Sequence, residues 1–416
     1  MIKQKLIKQK MMKNNLILGL AIISMLFSCT TDDTADIIIN DSSDNSVTNN
    51  TTTGGNENPT PTGETIYLTG TFDTDLSLDP INTYILNGPV IMESGTTLNI
   101  PAGMTIKATA GGANIYIAIS QGAKIIASGT PDKPIVLTSA SSSPAAGDWG
   151  GLILLGKAPI TTVNGTDTAT SEIGSLPYGG NDPTDNSGIV QYLRVEYSGG
   201  AADGQSENNG LSFYGVGSGT VVQYVESFEG KDDGFEFFGG TVNVSYLVAI
   251  NNQDDSIDWT EGFSGKITNA YVKHGADHDH GIEADGYNSD YGNFSNPLYF
   301  SNPTITNVTI IGNGSADATN TSDAVRLRVG TKATLKNVYI KGFQLGFRID
   351  GDAGDNPTGA WVLDGSLHAT DVTFDDVTTK LSNKTTETFT DADFITGDGN
   401  GTTTDFATWG AGWSKE

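Results

Sequence analysis

Five short stretches of the 416-residue chain can be laid over one another residue by residue. They are VQYV (222–225), VSYL (244–247), ITNAYV (267–272), ITNVTI (305–310) and LKNVYI (335–340). Each alternates apolar and polar residues, as a half-buried strand does, and they recur every 22 residues or more. Short strands at such a period are typical of a right-handed parallel β-helix, in which equivalent positions of successive turns stack about 4.8 Å apart.

The spacing of the segments separates this fold from its main alternatives. A β-propeller or a pair of sandwiches needs regular hairpin turns and even spacing. The chain instead carries irregular insertions, at 160–187, 286–303 and 311–322. We therefore predict an all-β chain with a parallel β-helix over 66–385 and a C-terminal cap over 386–416. Within that cap Trp409 and Trp413 are predicted to close the last turn, which would otherwise expose an apolar lumen and an unpaired edge.

The overall charge limits the partners of the chain. The formal net charge is −27, and removing residues 1–28, with their five lysines and no acid, leaves −32. A surface this acidic disfavours nucleic acid and anionic lipid, and it favours divalent cations. The single cysteine excludes a disulfide within the chain. We expect a monomer that binds no nucleic acid.

The single cysteine, Cys29, stands at the end of a sequence typical of a secretion signal. Lys13 precedes an apolar run at 16–23, and a small residue stands directly before the cysteine. This arrangement resembles the bacterial lipobox, which implies that residues 1–28 are removed and that Cys29 is acylated, with palmitate among its acyl chains. Residues 29–65 are rich in Thr, Asn, Ser, Gly and Pro, which predicts a disordered tether. The resemblance therefore predicts an outer-membrane lipoprotein at the cell surface, in contact with the membrane through its lipid alone.

Four further stretches carry a family resemblance. They are GDWGG (147–151), SGIVQYLRVEY (187–197), KDDGFE (231–236) and WGAGW (409–413). Together they resemble a large family of Bacteroidetes cell-surface β-helix lipoproteins, from about residue 66 to the C-terminus. The resemblance implies the fold and the location, and it implies no particular activity.

An acidic block recurs at nearly constant spacing within the second repeat. It reads KDDGFE (231–236), QDDSID (253–258) and HDHGIE (278–283), at steps of 22 and 25 residues. Alignment on the apolar residue of each block stacks three turns of carboxylates on one outward face, followed by arginine on the next turn. The stacked residues are Asp232, Asp233, Glu236, Asp254, Asp255, Asp258, Asp279 and Glu283, and then Arg326. Two unit charges one strand spacing apart repel by roughly 3 kcal/mol at an effective dielectric near 20, although exposed side chains can splay and be screened by water.

Three explanations of this acidic face remain open. The first is structural, because Asp and Asn before Gly often cap backbone groups at the corners between strands. The second is Ca²⁺, which prefers six to eight oxygen ligands, and the eight stacked carboxylates are then its candidate ligands. The third is catalysis by paired carboxylates.

The catalytic explanation rests on a local resemblance to the polygalacturonase-like glycoside hydrolases, which are also β-helices. Those enzymes carry Asn-Thr-Asp, Asp-Asp, Gly-His-Gly and Arg-Ile-Lys motifs on successive turns. This chain has, in the same order, Asp232-Asp233-Gly234, Asp254-Asp255, His280-Gly281 and Arg326-Leu327-Arg328. The resemblance implies that Asp255 is the general acid and that Asp233 and Asp254 activate water. It implies a uronate-binding role for Arg326 and includes His280 in the catalytic set.

The histidines and aromatic residues near the third block offer further candidates. His278 and His280 alternate with Asp277 and Asp279, so an extended strand would send the two residue types to opposite sides. This pattern predicts an exposed polar corner rather than a transition-metal site, which requires a specific geometry. The candidate rings for stacking on a sugar are Trp259, Tyr287 and Tyr291, with packing in the core as the alternative.

These observations favour a lipid-anchored surface β-helix that binds a polysaccharide or a surface protein along its acidic face, with Ca²⁺ as the candidate cofactor. The alternative is a polysaccharide-degrading enzyme, a hydrolase or lyase acting on acidic sugars. A structural or adhesive stalk is the third possibility. No segment after the N-terminal signal is long and apolar enough to span a bilayer, so a transporter is not expected.

Overall fold

The computed structural model describes seven parts of the chain. They are residues 36–39, 63–162, 166–202, 207–287, 298–317, 323–351 and 357–416. The signal segment, Cys29, most of the tether and Tyr291 lie outside the described residues, so the predictions made for them are not addressed by the structure. Among the described residues, no helix has the length and apolar character needed to cross a membrane.

The regular secondary structure of the described residues is almost all β-strand. In chain order they are β1 Asp36–Ile39, β2 Thr65–Phe72, β3 Leu76–Ser77, β4 Thr83–Met92, β5 Thr97–Ile100, β6 Thr105–Ala108, β7 Gly112–Ile119, β8 Lys124–Ser128, β9 Ile135–Ser139, β10 Trp149–Leu155, β11 Thr168–Thr170, β12 Pro177–Gly179, β13 Gly188–Glu196, β14 Leu211–Tyr214, β15 Val221–Phe228, β16 Phe235–Phe238, β17 Asn243–Ile250, β18 Ile257–Thr260, β19 Lys266–Lys273, β20 Ile282–Asp285, β21 Thr304–Ile311, β22 Asp323–Arg328, β23 Ala333–Asp350, β24 Leu367–Lys384 and β25 Ile395–Asp398. The helices are α1 Thr358–Leu363, α2 Asp391–Phe394 and α3 Phe406–Trp409.

Successive turns pair in parallel along two long ladders. The first ladder joins β13, β15, β17, β19, β21, β23 and β24. The second joins β10, β14, β16, β18, β20, β22 and the second half of β23. The chain alternates between the two ladders, so each of these turns contributes one strand to each ladder. The predicted all-β fold, a parallel β-helix, is confirmed.

Each strand of the first ladder bends at one residue with a positive φ. Tyr192, Tyr224 and Tyr246 hold this position in three successive turns, with φ of 47°, 54° and 59°. Asn269 and Asn307 hold it in the next two turns, where asparagine tolerates the left-handed conformation well. The ladder register skips this residue in every pair, so the strand turns a corner there. This column of corner residues lies on the outside of the solenoid and is the tyrosine–asparagine column discussed below.

The lumen of the solenoid is filled by apolar side chains from the alternate positions of each strand. Phe213, Phe237 and Phe263 stack along it, with ring centroids 4.9 and 4.5 Å apart, and all three are fully buried. Stacking of like apolar residues at one strand spacing is favourable, because each ring covers the next. The lumen therefore gives a rigid frame that fixes the outward residues of every turn.

The C-terminal residues do not close the last turn as predicted for Trp409 and Trp413. Phe394 of α2 is fully buried in the main core at that end. Residues 399–416, the C-terminal strap, instead run back along the outside of the solenoid over the tyrosine–asparagine column. Trp413 packs edge-on against Tyr192 and Tyr224 at 5.9 Å, so it covers outward tyrosines rather than the lumen. The reason is geometric, since α2 already covers the apolar end while the tyrosine rings otherwise face solvent.

Candidate functional site: an acidic cleft

The second ladder stacks the acidic blocks in the predicted register. Glu236 pairs with Asp258, and Asp258 pairs with Glu283. Glu283 in turn pairs with Arg326, so carboxylate gives way to arginine one turn later. The apolar residues used for the alignment, Phe235 among them, are fully buried in the lumen. The neighbouring outward positions therefore project from one face of the solenoid.

These stacked side chains form one wall of a cleft of about 520 Å³, here called the acidic cleft. Its lining residues are Glu172, Glu207, Asn209, Asp232, Asp233, Glu236, Asp254, Asp255, Asp258, Asp279, Glu283, Arg326 and Arg328. All eight carboxylates predicted as metal ligands line it, and so does Arg326. Of the residues predicted for catalysis, only His280 does not line the cleft. Its Nδ1 contacts Asp255 Oδ1 at 2.9 Å.

Burial distinguishes this wall from the exposed stripe expected from the sequence. Asp233 is 7% exposed, Asp255 is 5% exposed and Glu283 is 8% exposed. The expectation that these side chains splay into water is wrong for these three residues, whereas the side chain of Asp279 is 50% exposed. Like charges that water cannot screen repel more strongly than exposed ones.

The pKa values of the carboxyl groups reflect this burial. The pKa of Asp233 is raised well above its ordinary range by burial, and then by Asp255 and Asp232. Burial, Glu283 and Asp255 raise the pKa of Asp258 in the same way. The pKa of Asp254 rises to about 6 through burial and the charge of Asp279. Positive charge brought into the cluster would lower these pKa values.

Part of the acidic wall has the structural role expected of corner residues. The backbone N–H of Asp255 donates to Asp233 Oδ1 at 3.0 Å. One turn later the backbone N–H of His280 donates to Asp255 Oδ1 at 2.6 Å. The corner explanation thus accounts for one oxygen of Asp233 and one of Asp255. It does not account for Glu236 or Asp258, which lie on the strands.

The end of the cleft nearest the C-terminus is neutralised by arginine. Arg326 donates to Glu283 at 3.1 Å and to Asp350 at 2.9 Å. Arg328 contacts Glu283 and Asp285, both at 2.6 Å. Both guanidinium groups are engaged by carboxylates of the protein itself. Arg326, for which the resemblance implies uronate binding, already forms two ion pairs within the protein.

The two preceding turns hold carboxylate groups close enough together to bind a cation. One trio is Glu207, Asp232 and Asp254, and a second is Asp233, Glu236 and Asp258, each with oxygens within 4.8 Å of one another. Within the described residues, no lysine or arginine forms an ion pair with either trio. Asp258 Oδ1 is shielded from solvent and accepts no hydrogen bond. A donor set made only of oxygen fits a hard cation such as Ca²⁺.

The histidine corner is more buried than predicted. His280 is 4% exposed, and its Nδ1 lies 2.9 Å from Asp255 Oδ1 and 3.3 Å from Asp279 Oδ1. His274 is also 4% exposed, and its ring packs on that of His278 at 4.0 Å. The expected separation of histidine from aspartate is wrong, because this segment is not an extended strand and does not alternate.

The residues predicted to stack on sugar rings do not face the cleft. Trp259 is fully buried in the lumen and donates its indole N–H to Thr331 at 3.0 Å. Its position in β18 alternates inward, one residue beyond the outward Asp258. Tyr287 is 7% exposed and packs near Phe300. The stacking role is therefore wrong for Trp259 and Tyr287, while Tyr291 lies outside the described residues.

Sequence reasoning missed three residues that line the cleft: Glu172, Glu207 and Asn209. One signal was available, because Asn208-Asn209-Gly210 occupies the same register as Asp232-Asp233-Gly234 one turn later. Asn209 donates to Glu236 Oε2 at 2.6 Å and so ends the acidic stack. Glu172 follows the hairpin strand β11 in an insertion, where no repeat indicates a position.

Comparisons with known proteins give the following matches. The profile of the pectate-lyase-like β-helix domain family matches residues 70–414. No curated protein matches. Among solved structures, the catalytic domain of a GH87 alpha-1,3-glucanase in complex with nigerose is 11% identical, with a TM-score of 0.31 and 81% of this chain covered. The catalytic unit of a GH87 alpha-1,3-glucanase from Streptomyces thermodiastaticus is 12% identical, with a TM-score of 0.30 and 84% covered. The chain spans 64% and 66% of those two structures.

Proposed function

Since the chain belongs to the pectate-lyase-like β-helix family, we propose that its acidic cleft is a glycan-binding site that depends on a bound divalent cation, with Ca²⁺ as the fitting ion. One observation carries the proposal. The trios Glu207/Asp232/Asp254 and Asp233/Glu236/Asp258 have no residue in common, and no lysine or arginine of the described chain forms an ion pair with either one.

The contrast with the next turn supports a ligand rather than a purely structural role. There Glu283 has the same column position as Asp258 and receives two arginines. The fold can therefore pair a carboxylate of this column with its own arginines, and in the two preceding turns no such ion pair forms among the described residues. Uncompensated buried carboxylates cost stability, so their stacking is explained if a cation normally occupies them.

The size and polarity of the cleft support a saccharide as the larger ligand. Its volume of about 520 Å³ lies within the range of small-ligand sites. The lining groups are almost all hydrogen-bond acceptors, and the hydroxyls of a sugar are donors that match them. Hydroxyl oxygens can also complete the shell of a Ca²⁺ ion held by carboxylates.

Calcium titration of the purified, EDTA-treated protein tests the cation. We expect binding by calorimetry and a rise in melting temperature with Ca²⁺, because the ion binds the folded chain alone. Asp258→Asn is expected to weaken binding at least tenfold. Asp375→Asn is the matched control, since Asp375 pairs with the exposed Lys341 and does not line the cleft. Equal Ca²⁺ affinity in both variants, or no binding at all, would contradict the proposal.

A second candidate function is hydrolysis or elimination at the same cleft. It is favoured by the pKa of about 6 for Asp254, which allows proton exchange near neutral pH, and by the adjoining Asp255. New reducing ends or unsaturated products from a polysaccharide panel, lost in Asp255→Asn, would establish an enzyme. Glycan-array binding without any product would favour the binding function, and silence in both assays would favour a stalk.

We also propose that the chain is a surface lipoprotein anchored at Cys29, on the basis of the lipobox-like sequence. Expression with a labelled fatty acid is expected to label the wild type and not Cys29→Ala. Protease added to intact cells should digest the wild-type protein if the anchor faces outward. Equal labelling of both proteins would contradict the anchor.

A further inference from the structure

The C-terminal strap contacts each strand that leads into an acidic block. β15 ends at Phe228 and the first block begins at Lys231, and β17 and β19 precede the second and third blocks in the same way. The contacts are Trp413 with Tyr224 of β15, Trp409 with Tyr246 of β17 and Phe406 with Tyr271 of β19, with ring centroids 5.9, 5.4 and 4.0 Å apart. The strap therefore lies on the same turns that form the acidic wall.

The ring of Trp413 also covers the outer side of these strands. Val248 and Ile250 of β17 are 0% and 1% exposed, and they pack with Phe228 and Trp413 in an apolar cluster separate from the lumen. Ile250 ends β17, and the corner that carries Asp254 follows it directly. This corner is thus joined to a strand that packs on the lumen on one side and on the strap on the other.

The relative position of two of these turns sets the carboxylate trios. Each trio joins the first acidic block to the second, through Asp232 and Asp254 in one trio and through Glu236 and Asp258 in the other. Trp413 contacts strands of the same two turns, β15 and β17. A contact that fixes these turns to each other also fixes the spacing of the trio oxygens.

The segment that joins the strap to the last turn suits a hinge. It reads GDGNG (397–401), and Gly397 and Gly399 have φ of 66° and 89°. Glycine reaches these and other backbone angles at little cost, so the segment can absorb a change of direction. Near the other end of the strap, the backbone N–H of Lys415 donates to both oxygens of the buried Glu226 at 3.0 Å. Release at the hinge would uncover the Trp413 cluster without breaking the ladders of the solenoid.

We propose that the C-terminal strap is a latch that regulates the acidic cleft. The docked strap holds the two trios at the spacing that binds a cation, and its release lowers the cation affinity. The inference rests on the proposed cation site and adds its regulation. The physical reason is entropic, because a cation that binds loosened turns must also order them. By linkage, a bound cation favours the docked strap to the same extent.

Calcium titration by calorimetry of the EDTA-treated full protein, well below its melting temperature, tests the latch. Trp413→Ala is expected to weaken Ca²⁺ binding at least about fivefold, the lower end of typical coupling between sites. Trp413→Phe keeps a ring in the cluster and should bind within about twofold of the wild type. Leu98→Ala is the matched control, because Leu98 is 2% exposed in the lumen and its strand β5 pairs with β3 and β8, away from the acidic turns. It should lose comparable stability and keep the wild-type affinity.

Hydrogen exchange measures the reciprocal effect and needs no strap variant. Saturating Ca²⁺ should slow exchange of the Lys415 N–H in the wild type at least about fivefold. It should slow the amides of β5 less, because release of the strap is a local opening. Asp258→Asn should abolish the slowing at Lys415.

The latch and the cation site fail in different ways. Equal Ca²⁺ affinity in Trp413→Ala and the wild type would overturn the latch and leave the cation site standing. Equal weakening in Trp413→Ala and Leu98→Ala would also overturn it, because general loss of stability would then be the cause. Exchange at Lys415 that Ca²⁺ does not change would overturn it as well. Absence of Ca²⁺ binding by the wild type would remove the cation site and the latch together.

Discussion

Two outward columns of the same solenoid turns differ in how their stacked residues are satisfied. In the tyrosine–asparagine column, Tyr192 and Tyr224 stack at 4.3 Å, and Tyr224 and Tyr246 stack at 4.2 Å. Farther along, Asn307 donates to Asn269 at 3.0 Å. Rings and amides gain by stacking on copies of themselves. In the acidic cleft the repeated residue is a carboxylate, which is an acceptor only and repels its copy.

The C-terminal strap completes the first column from within the chain. Phe406 stacks on Tyr271 at 4.0 Å, and Trp413 covers the first tyrosines. The backbone N–H of Lys415 donates to both oxygens of the buried Glu226 at 3.0 Å. In the two acidic turns, the donors found among the described residues come from the solenoid itself, from Asn209 and from backbone N–H groups. The comparison shows that the C-terminal strap completes the tyrosine–asparagine column from within the chain, and it motivates the proposal that a cation completes the cleft.

The largest expected effect is a loss of stability when the C-terminal strap is altered. Trp413 is fully buried, although it belongs to a segment outside the solenoid. Trp413→Ala should lower the free energy of unfolding by about 3–5 kcal/mol, because it removes a large ring and leaves a cavity. Urea unfolding measures this loss. Leu363→Ala, at a site 54% exposed, is the control and should cost little. A loss below about 1 kcal/mol for Trp413→Ala would mean that the strap does not stabilise the flank.

The pH dependence of stability should come from two places, the contact of the C-terminal strap with Glu226 and the acidic cleft. Burial raises the pKa of Glu226 to about 8, and that of Asp254 rises to about 6. Between the ordinary and the raised pKa the folded state holds extra protons, so stability is complete below about pH 4 and falls as the pH rises toward 8. Each extra proton corresponds to about 1.4 kcal/mol per pH unit.

Urea unfolding in EDTA between pH 5 and 8 measures this slope. Glu226→Gln should reduce the share of this slope that comes from the contact between Glu226 and the C-terminal strap. Ca²⁺ added at pH 8 should restore only the stability lost through the carboxylates of the acidic cleft. Stability that stays constant or rises between pH 5 and 8 without Ca²⁺ would contradict the raised pKa values.

A smaller loss is expected at the compensated end of the cleft. Asp285 is 5% exposed and accepts from Arg328 at 2.6 Å. Asp285→Asn should lower the free energy of unfolding by about 2 kcal/mol, because a charged hydrogen bond at a buried site is weakened. Asp375→Asn removes an exposed ion pair with Lys341 and should cost less than about 1 kcal/mol. Equal losses in the two variants would mean that arginine compensation is not specific to the cleft.

The sequence predicted the fold and the register of the acidic column because both depend on local periodicity. The repeated blocks align on their apolar residues Phe235, Ile257 and Ile282, and the strands pair as that alignment requires. The full lining of the cleft could not be predicted, since Glu172 and Glu207, which also line it, lie outside the acidic blocks.

The errors at Trp259 and at the strap have related physical causes. The aromatic ring of Trp259 suggests sugar stacking, yet its place directly after the outward Asp258 in a strand turns it toward the lumen. Trp413 contacts Tyr192 across more than two hundred residues of sequence, and no local pattern encodes that contact. Periodicity therefore predicts the turns, while contacts made by segments outside the repeat require the structure.

The smallest expected effect has the opposite sign and tests the comparison most directly. Glu236 and Glu283 lie in the same outward column, two turns apart, with Asp258 between them. Glu236→Gln removes a like charge beside Asp258 and keeps an acceptor for Asn209, so without cations it should stabilise the fold by up to about 1 kcal/mol. Glu283→Gln is the matched control, and it should destabilise because it weakens two ion pairs with arginine. Both are measured by urea unfolding in EDTA at pH 8, and the same sign for both variants would mean that the acidic turns are already compensated within the chain.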